Sequence, residues 1–257
     1  MTEQAGVRGV VPGMLVLSPL PTSYATTRDA LQRVAVHIVA RARSQATGRF
    51  GLRVTNSGFG TPEFGDDLTR VRVSGDLLVS ESGGTTGAHS AVIAIDGSSL
   101  AELAEFTQID LDAELDVGHD TPPLGDTGES LVVDRAAALV LGSWYAIVSA
   151  ALDRVVAGAS SNADPTLVQV WPEHFDAALD LAATSDRRVN LGGSTGDGFH
   201  ADPYLYVGPW TADRPGDEQF WNAPFGAVLG YGELVNDADP VGTAAAFFER
   251  GLALLGG

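Results

Sequence analysis

The chain has 257 residues, 44% of them hydrophobic, and this length suits one large domain with a substantial core. Its 33 acidic residues outnumber 15 basic residues, the formal net charge is −18, and it contains neither cysteine nor lysine. The missing side chains exclude thiolate nucleophiles, disulfides, iron–sulfur clusters and lysine Schiff bases. The charge makes nucleic acid and anionic membranes poor partners, so neither is expected.

The chain shows no features of an export signal or a membrane span. Residues 1–8 carry Glu3 and no basic stretch that leads into an apolar run. No apolar run approaches the roughly 20 residues that are needed to cross a bilayer. We therefore expect a cytoplasmic location.

The first half of the chain predicts a helix, a meander of strands and a second helix. A helical spacing of apolar residues begins near Thr26 and Asp29, which are three residues apart as in a capping box. From Phe50 the apolar residues alternate, which is typical of strands joined by tight turns. Ser99 and Glu102 form a second capping-box pattern. The predicted elements are a helix at 26–47, strands near 52–54, 71–73, 77–79 and 92–95, and a helix at 99–108.

The second half repeats this order after an acidic connection. Residues 110–130 are rich in Asp and Glu and show little periodicity, so we expect an exposed linker. Asp134 has the position of an N-cap for a long apolar helix that ends near Gly158. Asp239 followed by Pro240 begins a final helix. The predicted elements are a helix at 134–158, strands at 166–170, 175–181, 189–191 and 204–207, and a helix at 239–255.

This recurring order predicts an internal duplication. Pro62 and Pro172 are 110 residues apart, and His89 and His200, each after a segment rich in Gly, Ser and Thr, are 111 apart. We predict an α+β fold in which two similar halves, each a helix plus an antiparallel meander, pack into a single domain that covers residues 1–257. The pseudo-repeats cover 22–109 and 131–257 and are joined by the acidic linker 110–130.

The densest group of candidate catalytic residues lies between Trp171 and Asp202. Residues two apart in a strand share a face, so His174 would point with Asp176 and His200 with Asp202. These four side chains are suitable ligands for zinc, iron or manganese, and Glu173 would be the general base of a metal-dependent hydrolase. Alternatively, His174 and Asp176 line a solvated sheet face. No cofactor is predicted from the residues, and a divalent metal belongs to the hydrolase hypothesis only.

Aromatic residues are concentrated in the last third of the chain. Tyr204 and Tyr206 alternate along a predicted strand and would share one of its faces. Such rings wall many small-molecule sites, although they also fill cores. The predicted ligand-binding residues are Trp171, Tyr204, Tyr206, Trp210 and Trp221, with Glu173, His174 and Asp176 as polar anchors.

Residues 192–196 match the Gly-x-Ser-x-Gly nucleophile elbow of α/β-hydrolases. The elbow requires a helix directly after the serine and later Asp and His partners. Residues 197–203 have no helical pattern, and His200 is the last histidine of the chain. We interpret the segment as a turn.

Four segments of the chain, residues 21–33, 171–176, 202–210 and 220–226, carry a resemblance to known proteins. On these segments the chain resembles uncharacterised actinobacterial proteins of unknown function, and the likeness covers most of its length. The resemblance implies a bacterial protein that is not secreted, and it brings no catalytic residue with it.

Three functions are compatible with these patterns. The favoured one is a small-molecule-binding protein with an aromatic-walled pocket. The second is the metal-dependent hydrolase described above. The third is a structural or protein-interaction module, which would need an exposed apolar patch. The sequence leaves the oligomeric state open.

Overall fold

A computed structural model describes residues 15–84, 87–118 and 121–256. It contains two five-stranded antiparallel sheets, and each is a meander in which strands adjacent in sequence are hydrogen-bonded neighbours. The predicted α+β fold of two helix-plus-meander halves is confirmed. The first half comprises α1 (Tyr24–Val34), a π-helical segment (Ala35–Ala40), α2 (Arg41–Thr47), β1 (Arg53–Thr55), β2 (Gly58–Gly60), β3 (Arg70–Ser74), β4 (Leu77–Ser82), β5 (His89–Ala94) and α3 (Leu100–Thr107). The second half comprises α4 (Arg135–Gly158), β6 (Gln169–Trp171), β7 (Asp176–Thr184), β8 (Arg187–Ser194), β9 (Tyr204–Pro209), β10 (Ala227–Gly230), α5 (Tyr231–Leu234) and α6 (Pro240–Gly256).

The two halves meet at corresponding places. Leu52, just before β1, exchanges backbone hydrogen bonds of 2.9 and 3.1 Å with Val170 of β6, which joins the first strands of the two sheets. Thr27 of α1 accepts a hydrogen bond of 3.0 Å from the backbone N–H of Asp134, the N-cap of α4. Helix α4 contacts strands of both sheets, so the halves share one hydrophobic core.

The order of elements repeats, but the residues that suggested the repeat are not equivalent. Pro62 follows the second strand of its sheet, whereas Pro172 follows the first strand of the other. His89 begins β5, whereas His200 lies in the loop between β8 and β9. The turn before His89 is described only in part, because residues 85 and 86 lie outside the described ranges. The duplication therefore rests on the two meanders rather than on the sequence offsets.

Two of the predicted helix caps are confirmed and one is wrong. The Ser99–Glu102 capping box is confirmed, with the two reciprocal contacts at 3.2 and 2.8 Å. The Asp134 cap is also confirmed, since its carboxylate accepts the N–H of Ala137 at 2.9 Å. The predicted box at Thr26 is wrong, because α1 begins earlier, at Tyr24, and Thr26 lies inside the helix.

The acidic connection is more ordered than a solvated linker. Its acidic side chains from Asp110 to Asp116 are exposed, while the alternating residues from Leu111 to Val117 turn inward. Its backbone carbonyls accept hydrogen bonds from four side chains of the first helix, spaced four residues apart. Arg33 donates to the carbonyls of Leu124 and Asp126, His37 to that of Pro122, Arg41 to those of Asp110 and Ala113, and Gln45 to that of Asp110. His119 and Asp120, which we expected to be solvated, lie outside the described residues.

His37 gives this attachment a pH dependence. The ring is buried in the π-helical segment, and its Nε2 donates to the Pro122 carbonyl at 2.9 Å. Burial lowers the pKa of His37 from its usual 6.5, and the positive charges of Arg41 and Arg33 add to the effect. The folded protein therefore binds a proton at His37 more weakly than the unfolded chain does. The free energy of unfolding should fall as the pH drops below about 6.5.

We expect His37→Gln to flatten this decline, because glutamine can still donate to the Pro122 carbonyl but does not titrate. Urea denaturation at about pH 7.5 and about pH 5.5 measures the effect in both proteins. An equally steep loss of stability in the variant would show that other groups cause it.

Helix α4 is long and apolar enough to cross a membrane by length and composition alone, contrary to the expectation that no segment of the chain is. Within its most apolar stretch, 61% of the residues are buried inside the protein. The helix packs against α1, α6 and both sheets. That position is typical of the core helix of a soluble protein.

Candidate functional site

The outer face of the second sheet carries a polar and aromatic cleft. The inner face packs on α4, where a Cβ added to Gly193 would lie 2.4 Å from Val148. Alternate residues therefore face outward. The outward positions include Asp176, Ala178 and Asp180 on β7, Asn190, Gly192 and Ser194 on β8, and Tyr204, Tyr206 and Gly208 on β9. Three adjoining clefts of about 400, 660 and 670 Å³ share His174 on this side of the molecule. We call them together the outer-face cleft.

A tight hairpin presents the acidic residues to this cleft. Trp171 pairs with Asp176 across the hairpin, and the N–H of Phe175 donates to the Trp171 carbonyl at 2.7 Å. Phe175 adopts a left-handed backbone conformation, with φ of 54°, and its ring points into the core. The Phe175 carbonyl accepts hydrogen bonds of 3.0 Å from Tyr145 and from Thr195. This anchoring leaves Glu173, His174 and Asp176 bordering the cleft.

Asp176 is the most unusual polar group of the site. Asp176 is 8% exposed, and the Tyr206 hydroxyl donates to its Oδ2. Its Oδ1 is buried and has no hydrogen-bond partner among the described residues. Burial raises the pKa of Asp176, although the Tyr206 hydrogen bond and the charge of His174 oppose the rise. Buried acceptors are rarely left unpaired, and exceptions often mark functional sites.

The contact between Tyr206 and Asp176 depends on the absence of a side chain at Gly192. The Tyr206 ring crosses β8 over Gly192, where an added Cβ would lie 2.5 Å from the tyrosine oxygen and 2.8 Å from Ala178. A larger residue at position 192 would displace the ring. The two small residues thus let Tyr206 reach Asp176 across the sheet.

The loop between β8 and β9 is fixed by Asp197. Its Oδ1 accepts the N–H groups of Phe199 and His200 at 2.8 and 3.1 Å, and its Oδ2 accepts the Tyr204 hydroxyl at 2.7 Å. Burial, together with this hydrogen bond, raises the pKa of Tyr204. The loop consequently holds the Phe199 ring at the rim of the cleft.

Three exposed rings form that rim. Phe199 and Phe225 are 47% and 37% exposed, and their ring centres are 5.0 Å apart. Trp210 is 62% exposed and donates its indole N–H to Asn190 at 2.9 Å. Large apolar side chains at this exposure offer contact area to a ligand or partner.

The structure brings together most of the predicted ligand-binding residues. Trp171, Tyr204, Tyr206 and Trp210 line the outer-face cleft, as do the predicted anchors Glu173, His174 and Asp176. Trp221 lies elsewhere. Its ring centre is 4.9 Å from that of Phe220, and its indole donates to the Pro215 carbonyl.

The predicted metal ligands do not converge. His200 and Asp202 lie on an exposed loop rather than in a strand, and the His200 ring contacts the Asp202 carbonyl at 3.0 Å. Of the four, only His174 and Asp176 border the cleft. Throughout ranges 15–84, 87–118 and 121–256, no group of three or more His, Asp or Glu side chains is placed to hold a metal ion. The predicted site fails because the strand alternation does not extend to residues 200–202.

Ser194 and Phe225 line the cleft, although neither is among the predicted site residues. Ser194 was assigned to a turn, but it ends β8 and faces the cleft, and its Oγ accepts the N–H of Gly196 at 3.1 Å. No helix follows it, in agreement with the rejection of a nucleophile elbow. The alternation of Asn190, Gly192 and Ser194 was a usable signal. No comparable signal pointed to Phe225, because strand β10, which follows it, was not predicted.

Comparisons with protein-family models, with curated proteins and with solved structures each found no match. Exposed rings surround a concave surface whose floor holds a buried carboxylate, two tyrosines and small polar groups. Such a surface can enclose an apolar group and hydrogen-bond a polar one.

Proposed function

We propose that this protein binds a small molecule in the outer-face cleft. The observation that carries the proposal is the buried, unpartnered Oδ1 of Asp176 beside an aromatic-walled cleft. A ligand donor would supply the hydrogen bond that this oxygen lacks. The section over β8 and β9, about 660 Å³, is in the usual size range of small-molecule sites.

The other two functions have weaker support. The hydrolase lacks a converged ligand set, because His200 and Asp202 lie outside the cleft. An interaction module could use the exposed rings of Phe199, Trp210 and Phe225. These rings border a concavity with a polar floor, however, which fits a compact ligand better than a flat protein surface.

We also propose a bacterial, cytoplasmic protein. The resemblance of its segments to actinobacterial proteins and its acidic composition support this assignment. Fractionation of the native cells, followed by antibody detection, tests it. Recovery in the membrane or extracellular fraction would contradict the cytoplasmic assignment.

A blocking variant tests the binding site. Gly208 faces the cleft from β9, and an added Cβ there meets nothing closer than 3.9 Å, so Gly208→Leu should fold and fill the cleft. We expect ligands found in a thermal-shift screen of metabolites to bind this variant at least about tenfold more weakly, a loss of about 1.4 kcal/mol. Calorimetric titration measures the change.

Gly232→Leu is the matched control. Gly232 is exposed in α5, and an added Cβ there has nothing within 4 Å. This variant should bind each ligand like the unmodified protein. A screen without ligands, or ligands that bind Gly208→Leu at full strength, would contradict the proposed function.

A further inference from the structure

The charge of the outer-face cleft is predominantly negative. Two of its three sections, those of about 400 and 660 Å³, are bordered by four carboxylates: Glu173, Asp176, Asp180 and Asp197. In the described part of the chain, no Arg lines these two sections, and the chain has no Lys. His174 is their basic group.

The nearby guanidinium groups are already engaged. Arg188 is paired with Asp180, to which it donates at 2.7 Å. Arg28 borders the third section, where it is paired with Asp29 at 2.7 Å and donates to the Ala201 carbonyl at 3.0 Å. Neither guanidinium contacts Asp176. A cationic ligand would therefore meet carboxylates without displacing an arginine.

The unpartnered Oδ1 of Asp176 specifies the polar group of the ligand. Its Oδ2 already accepts from Tyr206, whereas its Oδ1 needs a donor. A protonated amine supplies both the N–H donor and the opposite charge, and charge-assisted hydrogen bonds are the stronger kind. A quaternary ammonium would supply the charge alone, because it has no N–H.

The rim specifies the rest of the ligand. Phe199, Phe225 and Trp210 expose their rings around the same section of the cleft. Aromatic rings attract both apolar groups and cations. We infer that the cleft takes a primary amine that carries an aromatic or aliphatic arm, with the ammonium at Asp176 Oδ1 and the arm among the three rings. This inference rests on the proposed function.

The electrostatics at Asp176 agree with this assignment. Burial raises the pKa of Asp176, and the nearby charge of Asp197 adds to the rise. The Tyr206 hydrogen bond, the charge of His174 and the backbone N–H of Asp176 itself oppose this rise without cancelling it. An ammonium ion in contact with Oδ1 would stabilise the ionised carboxylate further.

Matched pairs of amines and alcohols test the inference. The probes are 2-phenylethylamine, tyramine, tryptamine and hexylamine, each titrated beside the alcohol of the same skeleton. We expect at least one amine to bind the full-length protein at least about tenfold more tightly than its alcohol. The N,N,N-trimethyl form of that amine, which has no N–H, should also bind about tenfold more weakly than the amine itself.

The variant Asp176→Asn should bring the amine-to-alcohol ratio close to one, because asparagine keeps the shape but not the charge. Gly208→Leu should weaken both members of each pair. Circular dichroism and thermal melting establish that each variant is folded. If Asp176→Asn does not fold, the comparisons on the unmodified protein decide.

The outcomes separate the inference from the proposed function. Equal binding of amine and alcohol, both lost in Gly208→Leu, would overturn the amine assignment and leave the cleft as a small-molecule site. A metabolite screen in which every cleft-binding ligand is neutral or anionic would also overturn the amine assignment. Retention of the amine preference in folded Asp176→Asn, or full binding of the trimethyl form, would overturn the placement at Oδ1. Failure of every probe and metabolite to bind would overturn both.

Discussion

Replacement of Phe175 by alanine is expected to lower the free energy of unfolding by about 3–5 kcal/mol, the range for truncation of a fully buried aromatic residue. The Phe175 ring is 1% exposed and packs edge-on against Phe59 and Tyr145, with ring centres 5.3 and 5.8 Å away. Alanine would remove these contacts and keep the left-handed backbone conformation, so no relief of strain offsets the loss. Urea denaturation measures the change.

The ring also anchors the hairpin of the cleft, so the variant should lose ligand binding as well as stability. Phe225→Ala is the control for stability, because its ring is 37% exposed at the rim. Truncation there should change stability by less than about 0.5 kcal/mol. A loss below about 1 kcal/mol in Phe175→Ala would mean that the hairpin is not anchored by this ring.

Gly142→Ala is expected to destabilise the protein by about 1–3 kcal/mol, the usual range for overpacking. In an ordinary helix the same change would be stabilising, by roughly 1 kcal/mol. Gly142 lies where α4 crosses the turn between β1 and β2, and an added Cβ would come within 2.5 Å of the Ser57 carbonyl carbon and 3.0 Å of the Gly58 nitrogen. Because these are backbone atoms, the helix and the sheet would have to separate.

Gly158→Ala in the last turn of the same helix is the matched control. An added Cβ there has nothing within 4 Å, so this variant should be neutral or slightly stabilised. Thermal melting should show a lower melting temperature for Gly142→Ala and an unchanged or slightly higher one for Gly158→Ala. A stabilised Gly142→Ala would show that α4 and the first sheet are not in such close contact.

Local signals were enough to predict much of this fold. The caps at Ser99 and Asp134 satisfy N–H groups within their own helices, so the residues that form them are adjacent in sequence. Strand β2, by contrast, consists of Gly58, Phe59 and Gly60, and no strand was predicted there. Its glycines are required by close neighbours, since a Cβ on Gly58 would lie 2.4 Å from the Val73 carbonyl. That neighbour is known only once the sheet is formed.

The candidate site was predictable to a similar extent. Alternation along β9 placed Tyr204 and Tyr206 on one face, and the structure agrees. The rule failed at His200, because Asp197 folds residues 197–200 into a turn by accepting the N–H groups of Phe199 and His200. The contact between Asp176 and Tyr206 could not be inferred at all, because the two residues are 30 positions apart in sequence.

The tryptophan indole N–H signals provide the most direct test of small-molecule binding in the outer-face cleft. The chain has four tryptophans, and each gives one resolvable signal in a ¹H–¹⁵N spectrum, which Trp→Phe variants assign. Trp171 and Trp210 line the cleft, whereas Trp144 is buried in the core and Trp221 packs against Phe220. Titration with the tightest-binding amine or metabolite should shift the Trp171 or Trp210 signal and leave Trp144 and Trp221 unchanged. A saturable shift confined to Trp221 or Trp144, or no shift at any tryptophan, would contradict binding in the cleft.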